Sequence, residues 1–140
     1  MEANMVEYIE YSQGPYANTL SHRAWNNQYY IVAATGEDSQ IIDMTGDIIA
    51  SDGEFARWVC APVNLEKEFL HIWPHTLKFN DIRKKYGRRV RIKVYHTENW
   101  ATIESVDPDV KIKDVLKEFE IPNYQAHLNE ATAVQLKFRG

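Results

Sequence analysis

The chain has 140 residues, of which 44% are hydrophobic and 26% are charged, a composition typical of a folded globular protein and not of a disordered one. Its net charge of −4 gives no general attraction to nucleic acids or anionic membranes, which require a concentrated positive surface. The sequence has no signal-peptide pattern and no apolar run near the roughly 20 residues that cross a bilayer. One cysteine, Cys60, permits no internal disulfide, so we expect a cytoplasmic protein with one core.

The N-terminal half is predicted to contain a helix followed by strands. Residues 1–11 fit a short strand or a frayed helix equally well. Residues 16–28 have apolar side chains at helical spacing. Residues 29–50 contain three apolar runs with a turn at Gly46, and the first run is apolar on both faces, which is typical of a buried strand. Alternation over residues 55–65 predicts a fourth strand.

The C-terminal half is less regular. Residues 66–86 favour a helix in two parts, interrupted at Trp73-Pro74 and ended by Gly87. Residues 88–94 alternate between basic and apolar side chains, which predicts a strand with one solvated face. A helix is predicted over residues 111–120 and a final strand over residues 133–138.

Cys60 is the one candidate nucleophile that cannot be set aside on chemical grounds alone. A catalytic thiol needs a base or a positive neighbour and partial exposure, and it usually lies on a turn or at a helix N-terminus. Cys60 falls in the middle of the predicted strand, between Val59 and Ala61. Because free cysteines are among the most buried residues, we interpret it as a buried, inert thiol.

Two histidines form the only pattern that suggests a metal site. His71 and His75 are four residues apart, with Glu66 and Glu68 nearby, so one helical face could present both rings to a metal. Pro74 lies between them and disrupts that geometry, and no third ligand has a defined spacing. We therefore expect these histidines to be structural or exposed.

Basic residues are concentrated in residues 88–93, where Arg88, Arg89, Arg91 and Lys93 follow Lys84 and Lys85. Such a run can bind phosphates, but in an acidic chain a solvated strand face paired with carboxylates is the simpler interpretation. The four tryptophans are spread along the chain and are interpreted as core or interface residues (Trp25, Trp58, Trp73, Trp100). The residues themselves indicate no catalytic, cofactor-binding or metal site.

The central stretch resembles a known family. Residues 23–34 (RAWNNQYYIVAA) and 39–50 (SQIIDMTGDIIA) are similar to the second half of the nitrilase superfamily of carbon–nitrogen hydrolases. That family has an R-A-x-E-N segment at the end of a helix, then a buried strand, then an S-x-I-x-x-x-x-G-x-x-x-A hairpin. The hairpin spacing agrees without a gap, and Asn26 replaces the usual glutamate.

The resemblance implies an α/β fold built as a partial αββα nitrilase-like sandwich, the C-terminal half of the domain, with an extended C-terminal arm. Residues 1–95 would form the C-terminal portion of the hydrolase domain. Residues 96–140 would be an extension of the kind that makes oligomer contacts. The implied partner is either a second copy or a chain carrying the missing N-terminal half; neither nucleic acid nor membrane is implied.

The implied reaction is attack by a cysteine thiolate on an amide, nitrile or carbamoyl carbon, with a glutamate as base and a lysine stabilising the oxyanion. In the family all three precede the R-A-x-E-N helix, whereas only 22 residues precede Arg23 here and none is a cysteine. No catalytic residue transfers to this sequence, and no cofactor or metal is implied. We expect the chain to be inactive alone; the alternatives are a non-catalytic interaction or oligomerisation module and, less favoured, a nucleic-acid-binding module using residues 88–93.

Overall fold

The computed structural model describes residues 6–9, 17–34, 39–52 and 58–139, which form a mixed α/β protein. The chain divides into two compact units, Met1–Leu65 and Glu66–Gly140. No helix in the described ranges is both long and apolar enough to cross a membrane. In chain order the strands and helices are β1 (Val6–Ile9), α1 (Ala17–Asn27), β2 (Tyr30–Ala33), β3 (Gln40–Ile42), β4 (Ile48–Ser51), β5 (Lys67–His71), α2 (Thr76–Tyr86), β6 (Val90–Tyr95), β7 (Trp100–Ser105), α3 (Ile112–Glu118) and α4 (Tyr124–Phe138).

The first unit contains a four-stranded sheet in the order β1-β2-β3-β4. β1 and β2 are parallel and are connected through α1, whereas β2, β3 and β4 form an antiparallel meander. The predicted helix and the three predicted strands of residues 29–50 are therefore confirmed. Residues 6–9, whose structure the sequence left open, form the parallel edge strand.

Both faces of β2 are covered, as its apolar composition predicted. One face packs under α1 in a small core to which helix and sheet both contribute (Leu20, Ala24, Tyr29, Ile31, Ala33, Ile42). On the other face the Tyr30 ring is fully buried, and its hydroxyl donates a 2.6 Å hydrogen bond to the carbonyl of Asn64. The segment that contains Asn64 thus takes a fixed position against β2.

The second unit contains a three-stranded antiparallel sheet in the order β5-β7-β6. α2 connects β5 to β6 and buries Phe79 and Ile82, because these side chains lie three apart on one helical face. α3 adds a second buried stripe. The core contains Leu70, Ile72, Phe79, Ile82, Val90, Ala101, Ile103, Val110, Ile112, Val115, Leu116 and Ile121.

Several predictions in this half are confirmed: the second part of the 66–86 helix is α2, β6 covers residues 90–94 of the strand predicted over 88–94, and α3 lies within 111–120. Two are wrong. The first part of the predicted helix is β5, since its backbone pairs with β7 from Lys67↔Glu104 to His71↔Trp100. The predicted final strand over 133–138 is the C-terminal half of α4, a helix capped at Asn123, whose side chain accepts from the Ala126 amide.

The strand predicted over 55–65 is also wrong where it can be compared. Residues 53–57 lie outside the described residues, and residues 58–64 have no helical or strand structure. The apolar alternation in this segment therefore does not reflect a pleated strand.

The chain is divided into its two compact units between Leu65 and Glu66, whereas the predicted boundary was at 95/96. Residue 95 is the last residue of β6 and residue 96 begins the connection to β7, and these two strands pair over their whole length, from Val90↔Ser105 to Tyr95↔Trp100. That residues 1–95 form the C-terminal portion of a hydrolase domain stays a prediction, and so does the role of residues 96–140 as an extension for oligomer contacts.

Candidate functional site

Cys60 is exposed, so the prediction of a buried thiol is wrong. The segment around it makes no strand, and Trp58, two residues earlier, is also largely exposed, at 74%. The side chains of residues 58–63 alternate between exposed and half-buried, and Cys60 lies on the exposed side with Trp58 and Pro62. Cys60 is thus accessible to reagents.

His71 and His75 do not share a helical face, because His71 ends β5 and His75 precedes the first turn of α2. His71 instead stacks on His127 of α4, with ring centroids 4.6 Å apart and an interplanar angle of 11°. Its Nδ1 is already engaged, lying 2.8 Å from the Trp73 carbonyl and 3.2 Å from the Trp73 amide. In the described residues no group of three or more His, Cys, Asp and Glu side chains is arranged to hold a metal.

His75 lies in a partly buried, electropositive position. Burial is the largest cause that lowers its pKa, and the positive charges of Lys78, His127 and His71 lower it further. Within the part of the chain that the structure describes, its Nδ1 atom is buried with no hydrogen-bond partner. Both observations favour a neutral ring at neutral pH.

An aromatic cluster fixes the N-terminal half of α4 to the second sheet. The Trp100 ring on β7 contacts His71 edge-on at 5.2 Å and Tyr124 at 4.6 Å. Sequence analysis missed this cluster, although Tyr124 and His127 lie three apart and so share one face of a helix. Because residues 133–138 were predicted as a strand, the helical spacing of Tyr124 and His127 was not recognised.

The basic residues of the second unit are largely matched by carboxylates and aromatic rings. Arg91 on β6 makes a 2.8 Å ion pair with Glu104, directly opposite on β7. Lys85 and Tyr86 both contact Glu118, which lowers the pKa of that carboxyl through the Lys85 hydrogen bond and then the Tyr86 hydrogen bond. This arrangement supports the simpler interpretation of a solvated strand face and accounts for these cations without a bound phosphate.

The residues that carry the family resemblance lie together in the first unit. The segment Arg23–Asn27 forms the last turn of α1, and Asn27 donates a 2.8 Å hydrogen bond to the Arg23 carbonyl. The Arg23 Nε donates to the Tyr29 hydroxyl at 3.1 Å. The first bond lies within the last turn of the helix, and the second joins that turn to the residue that precedes β2.

Gly46 lies in the turn between β3 and β4 and touches the same helix. Its φ is +81°, and a Cβ built on it would lie 2.8 Å from the Ser21 carbonyl oxygen of α1. Both the backbone conformation and the close approach require glycine here. The turn is further held by Asp43, whose carboxylate accepts from the Thr45 amide at 2.9 Å and from its hydroxyl at 3.0 Å.

β4 forms one edge of the first sheet. Its ladder partner is β3, and its Ile48 and Ile49 side chains are 47% and 39% exposed. Adjacent strand residues point to opposite faces, so apolar surface is exposed on both faces at this edge. An exposed apolar edge is a surface on which another strand can add.

No family model, curated protein or solved structure matches this chain.

Proposed function

We propose that this chain supplies the part of a carbon–nitrogen hydrolase domain that follows the nucleophile, and that the catalytic cysteine, glutamate and lysine belong to another polypeptide segment. The observation that carries the proposal is the ordered set in the first unit. An R-A-x-x-N turn ends α1, a doubly covered strand follows, and a glycine hairpin closes the unit.

Gly46 connects the hairpin motif to the helix motif through a direct packing contact. The glycine of the hairpin motif and the helix that ends in Arg23–Asn27 are distant in sequence, yet the Gly46 backbone packs directly against Ser21. A side chain at position 46 would push the hairpin away from the helix. The two motifs are thus parts of one packed arrangement, which supports a common origin with the family pattern.

The chemistry of the family requires groups that are not arranged in this chain. A thiolate nucleophile needs a neighbouring base, and the developing oxyanion needs a cation or amide donors. Cys60 follows the hairpin instead of preceding the helix and lies exposed in a segment without regular structure. The chain alone is therefore assigned no hydrolytic activity.

The exposed β4 edge supports a role in assembly. In an αββα sandwich each sheet is covered by helices on one face and by the other sheet on the other face. Exposed Ile48 and Ile49 at the edge of the first sheet are the kind of apolar surface that a complementary segment covers. The partner is a segment that carries the three catalytic residues, in the same or a separate polypeptide.

The experiment is a complementation assay on a panel of amides, nitriles and carbamoyl compounds. The chain is assayed alone, and then mixed with a segment from a carbon–nitrogen hydrolase that ends before the R-A-x-E-N helix. Activity in the mixture alone, lost when the added nucleophile is changed to serine, is the expected result. The proposal is overturned by activity of the chain alone that disappears in Cys60→Ser, or by failure of every such segment to bind it in a pull-down.

A second candidate function, a non-catalytic interaction module, is favoured by one observation. α4 has no buried residue, and Leu136 and Phe138 near its end are 64% and 84% exposed. If no hydrolase segment binds the chain but the folded chain binds itself through α4, this second function is the better one.

A further inference from the structure

One apolar stripe runs the whole length of α4. Its members recur at alternating spacings of three and four, which places them on one face of the helix (Tyr124, His127, Ala131, Val134, Phe138). We refer to this set as the α4 stripe. It has the spacing of the a and d positions of a coiled coil, with Tyr124, Ala131 and Phe138 at a and His127 and Val134 at d.

The two halves of the α4 stripe have different surroundings. Tyr124 and His127 pack on Trp100 and His71 of their own unit. Val134 is 48% exposed and Phe138 is 84% exposed, so the same stripe continues as open apolar surface. Because the exposed half continues a face that is already a packing surface, it extends an existing interface by two turns.

Two charged residues flank the stripe on one side. Glu130 and Lys137 are seven residues apart, directly before Ala131 and Phe138, and both occupy g positions. In an antiparallel helix pair g residues face g residues, so Glu130 of each helix meets Lys137 of the other. In a parallel pair g faces e, and the e residue that Glu130 would meet is the neutral Gln135.

We propose that the exposed half of the α4 stripe binds the same half of a second copy in an antiparallel helix pair centred near Val134. Two Glu130–Lys137 ion pairs form, and Val134 of each copy packs against Ala131 of the other, because a positions face d positions in an antiparallel pair. This inference goes beyond the proposed hydrolase role and does not depend on it. Stable interfaces bury about 800 Å² per partner; two helical turns cover less, so the dimer is weak and concentration-dependent.

The first test is a charge exchange followed by sedimentation velocity from low-micromolar to near-millimolar concentration. Glu130→Lys or Lys137→Glu alone places like charges opposite each other, so each weakens dimerisation, by roughly three- to tenfold in Kd. The double variant Glu130→Lys/Lys137→Glu restores the wild-type Kd. All these side chains are exposed, so the fold is unaffected, and far-UV circular dichroism checks this.

The second test reports the geometry. In a Cys60→Ser background, Val134→Cys lies near the two-fold axis and forms a disulfide-linked dimer on mild oxidation. Leu136→Cys, which is 64% exposed but lies away from the stripe, is the matched control and stays monomeric under the same conditions.

Three outcomes overturn the proposal. One is a monomer at every concentration. Another is a dimer whose Kd is the same in both single charge variants, and the third is a dimer weakened by Ile48→Lys on β4 but not by Phe138→Glu. The last result would assign self-association to the sheet edge. None of these measurements uses hydrolytic activity, so the complementation assay succeeds or fails separately.

Discussion

The imidazole rings of His71 and His127 lie parallel, with centroids 4.6 Å apart, and this contact joins the end of β5 to α4. Trp100 contacts His71 from the adjacent strand, so the pair lies inside an aromatic cluster. α4 itself has no fully buried side chain, and these ring contacts therefore account for much of its attachment to the second unit.

His127→Ala removes the stacked ring and is expected to loosen α4. Aromatic pairs contribute about 0.5–1.5 kcal/mol beyond their buried area, so α4 amides should exchange with solvent roughly two- to tenfold faster. Hydrogen exchange followed by mass spectrometry at low protein concentration measures this. Gln125→Ala on an exposed position of the same helix should leave exchange unchanged; equal exchange in both variants would show that the stack does not hold α4.

The stability of the second unit should fall as the pH drops below about 6.5. Burial, and then the charges of Lys78, His127 and His71, lower the pKa of His75 in the folded protein, so the unfolded chain binds its proton more readily. The stabilisation is complete above the unfolded pKa and is lost as the pH falls from there through the folded pKa. Urea unfolding at about pH 7.5 and about pH 5.5 measures the difference.

In His75→Gln the loss of stability between about pH 7.5 and about pH 5.5 should be smaller than in the wild type. His96→Gln, which changes an exposed ring between β6 and β7, should retain the wild-type loss. An unchanged loss in His75→Gln would assign the pH dependence to other groups.

Gly46→Ala should destabilise the first unit by about 1–3 kcal/mol, because it combines a left-handed backbone with a Cβ that would lie 2.8 Å from the Ser21 carbonyl oxygen. Gly87→Ala is the comparison. Gly87 has φ +57°, but nothing lies within 4 Å of its Cβ position, so only backbone strain is introduced there. Urea unfolding of the two variants measures both losses, and no loss of stability in Gly46→Ala would contradict the steric contribution from Ser21.

Tyr30→Phe should lower the free energy of unfolding by about 1 kcal/mol. It removes the 2.6 Å hydrogen bond that the hydroxyl of a fully buried ring donates to the Asn64 carbonyl. Tyr29→Phe removes a 3.1 Å bond to the exposed Arg23 guanidinium, which water can replace, and should cost less. Chemical denaturation of both variants gives the two free energies of unfolding. The reverse order would show that the Tyr30–Asn64 bond does not hold the segment after β4.

Cys60 should react with a thiol reagent such as Ellman's reagent in the folded protein, because the side chain is exposed. The rate should not rise appreciably in low concentrations of urea, since no opening of the structure is needed. Cys60→Ser removes the only cysteine and should abolish the signal. A rate that increases steeply with urea would show that Cys60 is buried in the folded protein, as the sequence predicted.

The sequence predicted those helices and strands whose apolar residues follow the pattern of the element. α1 and β6 each have one face that is apolar at the period of the element, β2 is apolar on both faces, and each lies where it was predicted. The turn at Gly46 was also predicted, because a glycine lies between two apolar runs. What the glycine contacts could not be seen, because Ser21 lies 25 residues earlier in the sequence.

Two failures, the strand β5 and the missed aromatic cluster, have a shared physical cause, which is contact between residues distant in sequence. Lys67–His71 contains good helix formers, and only its ladder with β7 makes it a strand. Residues 133–138 alternate like a strand, but the Asn123 cap starts a helix that continues through them. The cluster of His71, Trp100 and His127 brings together three elements and leaves no local pattern to detect.

The order β5-β7-β6 fixes when the second unit can form during synthesis. β5 and β6 pair with β7 and not with each other, and β7 is the last of the three strands in the sequence. As the chain leaves the ribosome from its N-terminus, the first two strands have no ladder partner until Trp100–Ser105 emerges. The native sheet of the second unit therefore cannot form before its central strand has been synthesised.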